Sequence, residues 1–350
     1  MMIYVFLVTF GICCFIYLFW GNHVLPKEHW QFMATMPRQR QSDGPWEGIN
    51  LTWYGFFSAN AYLVAVALFL LLTGALELPR PAMAAFTLIL LCICVPASKL
   101  VARIVEKKAH TFTVGGAVFV GLVCAPWVVV LFNFMAARLG GEALPVFPIL
   151  TALAIAYAFG EGLGRMACIS FGCCYGKAVE DCPAWLKRLF GKRAVCYVGT
   201  TKKIAYASGL EGKPVLPIQA ITASLYILTG LTGCGLFFSG HYSAAFAIAV
   251  TTTQLWRVVS EFLRADYRGN GRLSAYQWMG LLAIPYAWGL PSLLPLADIF
   301  LPDLQVGLSS LWTPGLLLSL QCLWLFILFY TGRSAVTGAT LSFHVKHERI

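Results

Sequence analysis

Long apolar runs recur along this chain, and they leave few folds open to it. Nine stretches carry little or no charge: 2–20, 51–75, 81–98, 111–137, 145–163, 214–240, 242–260, 273–297 and 304–331. Each approaches the ~20 residues that a helix needs to cross the hydrocarbon of a bilayer. In lipid no water satisfies a loose backbone N–H or C=O, so only helices and closed barrels span it. Barrel strands would read as shorter segments of alternating polarity, which these runs do not show. The sequence therefore predicts an all-α integral membrane protein, a polytopic helical bundle of about nine transmembrane helices with one long extramembrane loop. Composition agrees. Only 11% of residues are charged, and the mean hydropathy is +0.74. The first run lacks a basic leader and a small-residue cleavage site, and is read as a retained helix rather than a signal peptide.

The formal net charge is +10, and it is unevenly placed. With nine helices threaded, only Arg80 and Arg138 fall on one side, and the other lysines and arginines fall on or border the opposite side. Basic residues lined along one interface favour anionic phospholipid as a partner. With no soluble domain to present a basic face, nucleic acid is not expected as one.

The densest chemistry lies at Gly164–Gly176, Gly-Arg-Met-Ala-Cys-Ile-Ser-Phe-Gly-Cys-Cys-Tyr-Gly. The apolar run before it carries Glu161 and Arg165 to a membrane surface. Further on, Arg257, Glu261 and Arg264 are spaced i, i+4, i+7, one face of a helix. Such a row is costly near lipid unless it pairs or binds something. Trp53 and Tyr54, Gln219, and Gln277 with Trp278 open helices at the same level, and Lys99 and Arg103 return to it. Residues 177–213 form the long loop, where Trp185, Leu189 and Phe190 among lysines and arginines suit an element lying on anionic lipid or a simple solvated loop.

Seven of the twelve cysteines (Cys13, Cys14, Cys92, Cys94, Cys124, Cys234 and Cys322) sit inside apolar runs, as packing residues. The others are Cys168, Cys173, Cys174, Cys182 and Cys196. They contain no C-x-x-C pair, so neither a metal site nor a cofactor is expected. Three readings stand for Cys168, Cys173 and Cys174: packing, a disulfide (with Cys182 or Cys196 as further partners), or a nucleophile beside Arg165.

Taken together, these stretches resemble the prolipoprotein diacylglyceryl transferases, seven-helix bacterial enzymes that move diacylglycerol from phosphatidylglycerol to a lipobox cysteine. The family's Trp-Tyr-Gly helix start matches Trp53-Tyr54-Gly55. Its Gly-Gly-x-x-x-His-Gly segment is similar to Gly115–Gly121, and its Gly-Arg-x-x-Asn-x-x-Asn-x-Glu-x-x-Gly signature aligns on Gly164–Gly176. Its Pro-x-Gln-x-Tyr-Glu is similar to Pro217–Thr222. Arg257, Glu261, Phe262 and Arg264 match its Arg-x-x-x-Glu-Phe-x-Arg, and Ser274 and Gln277 its Ser-x-x-Gln. The likeness runs from about 49 to 297. It departs where the family has histidine (here Val120), Asn and Glu in the signature (Cys168, Phe171, Cys173) and Tyr-Glu (Ile221, Thr222).

The resemblance implies a transferase in the bacterial cytoplasmic (inner) membrane, with phosphatidylglycerol as donor and a prolipoprotein or related thiol as acceptor. It implies Arg165 and Arg257 as catalytic residues that grip the lipid phosphate. Tyr54, Gly121, Gly164, Gly176, Gln219, Glu261, Arg264 and Gln277 would bind substrate, with Glu261 orienting Arg257 or Arg264. His110 is the nearest histidine to the site. The expected organisation is an extra helix and connection at 1–48, a core at 49–297 with its head loop at 169–213, and an extra helix and tail at 298–350. A non-catalytic lipid-binding protein and a transporter are the alternatives. Polar residues gathered at one interface, not the midplane, speak against transport. The resemblance places the Arg165 loop outside the cell, whereas the positive-inside rule places it inside; five matched motifs favour the outward site.

Overall fold

The computed structural model describes residues 1–40, 44–105, 114–266, 273–294 and 301–350; His110 lies outside them. The chain opens with α1 (Met2–Val24), then a hairpin of β1 (Phe32–Arg40) and β2 (Trp46–Thr52). Four long helices follow: α2 (Trp53–Gly74), α3 (Arg80–Val105), α4 (Val114–Leu139) and α5 (Val146–Phe171). The head loop contains α6 (Ala184–Phe190), β3 (Val195–Cys196), α7 (Lys203–Ser208) and β4 (Pro214–Val215). After it come α8 (Ile218–Phe238), α9 (Tyr242–Leu263), α10 (Ala275–Leu293), α11 (Leu304–Leu311), α12 (Pro314–Gly332) and β5 (Arg333–Leu341).

The protein is mostly helical and built as a membrane bundle. Among the described residues, seven helices are long and apolar enough to cross a bilayer: α1 to α5, α8 and α12. The runs expected at 242–260 and 273–297 are helices too, of 22 and 19 residues. They fall outside the seven because α9 carries Thr251–Gln254, Arg257 and Glu261, and α10 mixes proline, glycine and glutamine into its apolar stretch. The run expected at 304–331 is two helices. Asp303 caps the first, and Pro314 begins the second at a position where its missing N–H costs nothing. Large apolar side chains such as Phe19, Leu88, Leu100 and Phe326 are exposed on the outer helices, as a lipid-facing surface requires.

The most enclosed of the spanning helices is α5, packed against α2, α8 and α9. Every residue from Val146 to Ala152 is buried along it. This axial helix carries Glu161 and Arg165 toward one end and finishes in the cysteine turn.

In the connection that follows the first helix, Phe32–Arg40 and Trp46–Thr52 fold as two antiparallel strands. Their third partner comes from the far end of the chain, giving the order β1-β2-β5. Trp46 pairs with Leu341 and Ile49 with Gly338. Sequence patterning hid this because the partner strand lies in a tail without motifs. The same end of the chain is stitched to α2. Thr52 Oγ1 donates to Gly332 O at 2.9 Å, Asn50 Nδ2 to Thr337 Oγ1 at 3.1 Å, and Trp324 Nε1 to Asn60 Oδ1 at 2.7 Å. At the crossing, a Cβ on Gly55 would sit 2.2 Å from Gly332 Cα, so the two backbones touch only because both residues are glycine.

Candidate functional site

The site is assembled where α5 ends. Gly172 adopts the left-handed conformation (φ 66°), and Cys173 N–H returns to Cys168 O at 3.0 Å. This is the usual way to close a helix with glycine. The chain then takes a second left-handed step at Cys174 (φ 58°), which for a residue with a Cβ costs roughly 1–2 kcal/mol. The three thiols Cys168, Cys173 and Cys174 are thereby gathered, their sulfurs within 4.8 Å of one another.

Residues 175–178 next meet two distant segments. Lys177 N–H donates to Leu263 O at 2.9 Å, Ala265 N–H to Tyr175 O at 3.1 Å, and Leu216 N–H to Lys177 O at 3.0 Å. Gly176 bridges to Arg264 at the centre of this crossing. A Cβ there would lie 2.5 Å from Leu216 O, so the backbone approach needs glycine. Arg264 therefore does not continue the face of α9 shared by Arg257 and Glu261. The helix ends at Leu263, and Arg264 is extended (ψ 153°), held by pairing to Gly176.

The result is a small cleft. Arg165, Arg257, Arg264 and Glu261 line it, with Cys174, Gln219, Thr222, Tyr226 and Ser260 between them. Arg165 is largely buried and pairs with Glu161. Its Nε is buried with no hydrogen-bond partner among the described residues. A buried, unsatisfied cationic donor is costly, so this nitrogen calls for an acceptor. Arg264 makes a two-pronged bond to Asp266, both contacts 2.6 Å. Arg257 makes no ion pair within 4 Å among the described residues, and Gly115 leaves room for its guanidinium: a Cβ there would lie 2.4 Å from Arg257 Nη2. Glu261 accepts a hydrogen bond from Ser274. Asp266 and Ser274, absent from the sequence-based site, are the groups that hold Arg264 and Glu261.

The other expected residues divide between cleft and frame. Gln219 reaches the cleft and donates to Cys173 O at 2.9 Å. Tyr54 lies edge-on against Phe171 beside the cysteine turn. Gln277 forms a capping box with Ser274 and donates to Val258 O at 3.0 Å, so it fixes the start of α10. Gly121 faces Cys94 on α3, and Gly164 faces Ala61 on α2, both away from the cleft lining. Thr222 accepts from Trp256 Nε1 at 2.8 Å. Among the described residues, which include all twelve cysteines, none is in a disulfide. Cys182 is buried and donates to Ala178 O, and Cys196 is exposed.

This geometry is a set of arginines converging on a small cleft at one end of a membrane bundle. The sequence model of prolipoprotein diacylglyceryl transferases matches residues 46–291. The chain belongs to that family. No curated relative adds a second comparison. Membership supports a diacylglyceryl transferase at family level. The matched region ends before α11, α12 and β5, the elements stitched to α2.

One frame residue had no signal in the sequence. Lys202 in the head loop is 1% exposed. Its Nζ donates to Leu25 O and Ser170 O, both at 2.9 Å, tying the loop to the ends of α1 and α5. Burial pushes its pKa down to about 8 from an ordinary 10.5. The folded state then binds fewer protons than the unfolded chain between these values, so stability rises with pH through that window. Thermal unfolding of the wild type is expected to shift upward from pH 8 to about pH 10 by this contribution. Lys202→Met is expected to lose the shift and to lower stability by about 1–3 kcal/mol, because two carbonyls lose their donor. Parallel melts of the two proteins across that range check both points.

Proposed function

We propose that this protein transfers a diacylglyceryl group from phosphatidylglycerol to a cysteine thiol of a prolipoprotein or a related acceptor, in the bacterial cytoplasmic membrane. The observation that carries this reading is the cleft that Arg165 and Arg257 both line, with the buried Arg165 Nε left without a partner among the described residues. In the reaction the acceptor thiol loses its proton to solvent and its sulfur bonds to the glyceryl carbon. The carbon–oxygen bond to phosphate breaks, its electron pair goes to the phosphate oxygen, and glycerol phosphate departs. Charge grows on that oxygen, and preformed guanidiniums in a water-poor cleft stabilise it without reorganising. Arginine suits the task because its fork matches phosphate and keeps its proton. Arg264, held by Asp266, and Glu261, held by Ser274, would border the head group as a rigid wall.

The test is to incubate purified protein with phosphatidylglycerol labelled in the glyceryl unit and a lipobox peptide. Labelled thioether on the peptide, with release of glycerol phosphate, is the expected result. Saturable binding of the lipid without turnover would instead make the protein a lipid-binding member of the family.

A further inference from the structure

We propose that Cys168, Cys173 and Cys174 are the protein ligands of a zinc ion held beside the arginine cleft. Their three sulfurs already lie within 4.8 Å of one another. Tetrahedral zinc with Zn–S bonds of ~2.3 Å needs sulfurs ~3.8 Å apart, so small rotations close the set. The spacing C-x-x-x-x-C-C is not that of a zinc ribbon, because the ligands come from a helix end and not from two knuckles. Cys168 lies in the last turn of α5, and the left-handed residues Gly172 and Cys174 fold the next two thiols back over it. The left-handed backbone at Cys174, unusual for a residue with a Cβ, belongs to that turn.

Charge supports the assignment. Three thiolates around one dication sum to a single negative charge, and Cys174 lines the cleft beside Arg165 and Arg264. Soft thiolate ligands favour zinc over hard cations. Three protein ligands leave the fourth tetrahedral position open, as in catalytic zinc sites and not in closed structural ones. An acceptor thiol fits that position: zinc-bound water leaves, the Zn–S bond forms, and the thiol proton goes to solvent, which keeps the sulfur as thiolate. This last step rests on the transferase reading; the metal site itself does not.

The experiment uses the full chain in detergent, reduced, stripped with a chelator and loaded with zinc or cobalt(II). Metal analysis after desalting is expected to give about one zinc per chain, as for a Cys₃ site. The cobalt form should show the thiolate-to-metal charge-transfer band of several sulfur ligands. Cys168→Ser, Cys173→Ser and Cys174→Ser should each weaken zinc binding by at least about tenfold, and Cys322→Ser on α12 should not. If a serine variant fails to fold, the wild-type cobalt band still counts the thiolates. Well under one zinc per chain would overturn the proposal, as would equal retention by all the variants. A disulfide within the trio that re-forms in preference to zinc binding would also overturn it. Zinc bound without lipid transfer leaves the metal site standing and sinks the transferase reading. Transfer by wild-type protein that takes up no zinc does the reverse. Transfer unchanged when bound zinc is removed would overturn only the thiol-coordination step.

Discussion

Arg257→Lys and Arg165→Lys are each expected to lower lipid transfer by about 10²–10³-fold, the size seen when one preorganised donor to a developing oxyanion is removed. Both variants should stay folded. Lysine keeps a positive charge but offers a point where arginine offers a planar fork. At Arg165 the buried Nε is a donor that lysine cannot replace. At Arg257 the guanidinium fits the space that Gly115 leaves open, and a shorter cationic head would withdraw from the cleft. The decisive measurement is kcat/KM for phosphatidylglycerol, with melting temperature as the folding control. Wild-type turnover by both variants would remove the phosphate clamp from the mechanism.

Gly176→Val is expected to be the most damaging single change outside the arginines. Even a Cβ meets Leu216 O at 2.5 Å and Leu216 Cβ at 2.6 Å, and valine adds two methyl groups. The backbone around it is bonded on both sides, to Leu263, Ala265 and Leu216, so it has no direction in which to yield. Overpacking of such a site costs about 1–3 kcal/mol or more. The cost here also reaches the chemistry, since Gly176 is what positions Arg264. Stability should fall by at least that amount, and activity in the surviving folded protein should fall with it. Unchanged melting and activity would show that the crossing is not rigid.

The helical membrane bundle was legible in the sequence because twenty-residue apolar runs have one physical explanation. The family was legible because Arg165, Arg257, Glu261 and Arg264 keep their residue types and spacing. What patterning misses is contact between distant segments. It sets Arg264 on the face of α9, since a period of 3.6 cannot see that Gly176 captures the next residue as an extended bridge. It gives no sign that Ser274 donates to Glu261. It leaves Lys202 among loop cations, where nothing local marks one lysine as buried. The three cysteines show the same limit: their gathering depends on two left-handed residues, of which only glycine can be guessed.

The sheet that joins β2 to β5 has a consequence for how the molecule is made. Asn50 waits for Thr337, a separation of 287 residues, and contacts so far apart in sequence form late. A chain inserted into the membrane from its first helix onward would carry β2 with one edge bare throughout synthesis. Unpaired edges are where chains stick to one another. The last strand is therefore the step that ends a vulnerable interval, and a fusion placed directly after Leu341 would lengthen it. Yield of dispersed protein, not catalytic rate, is the quantity that such a fusion should change.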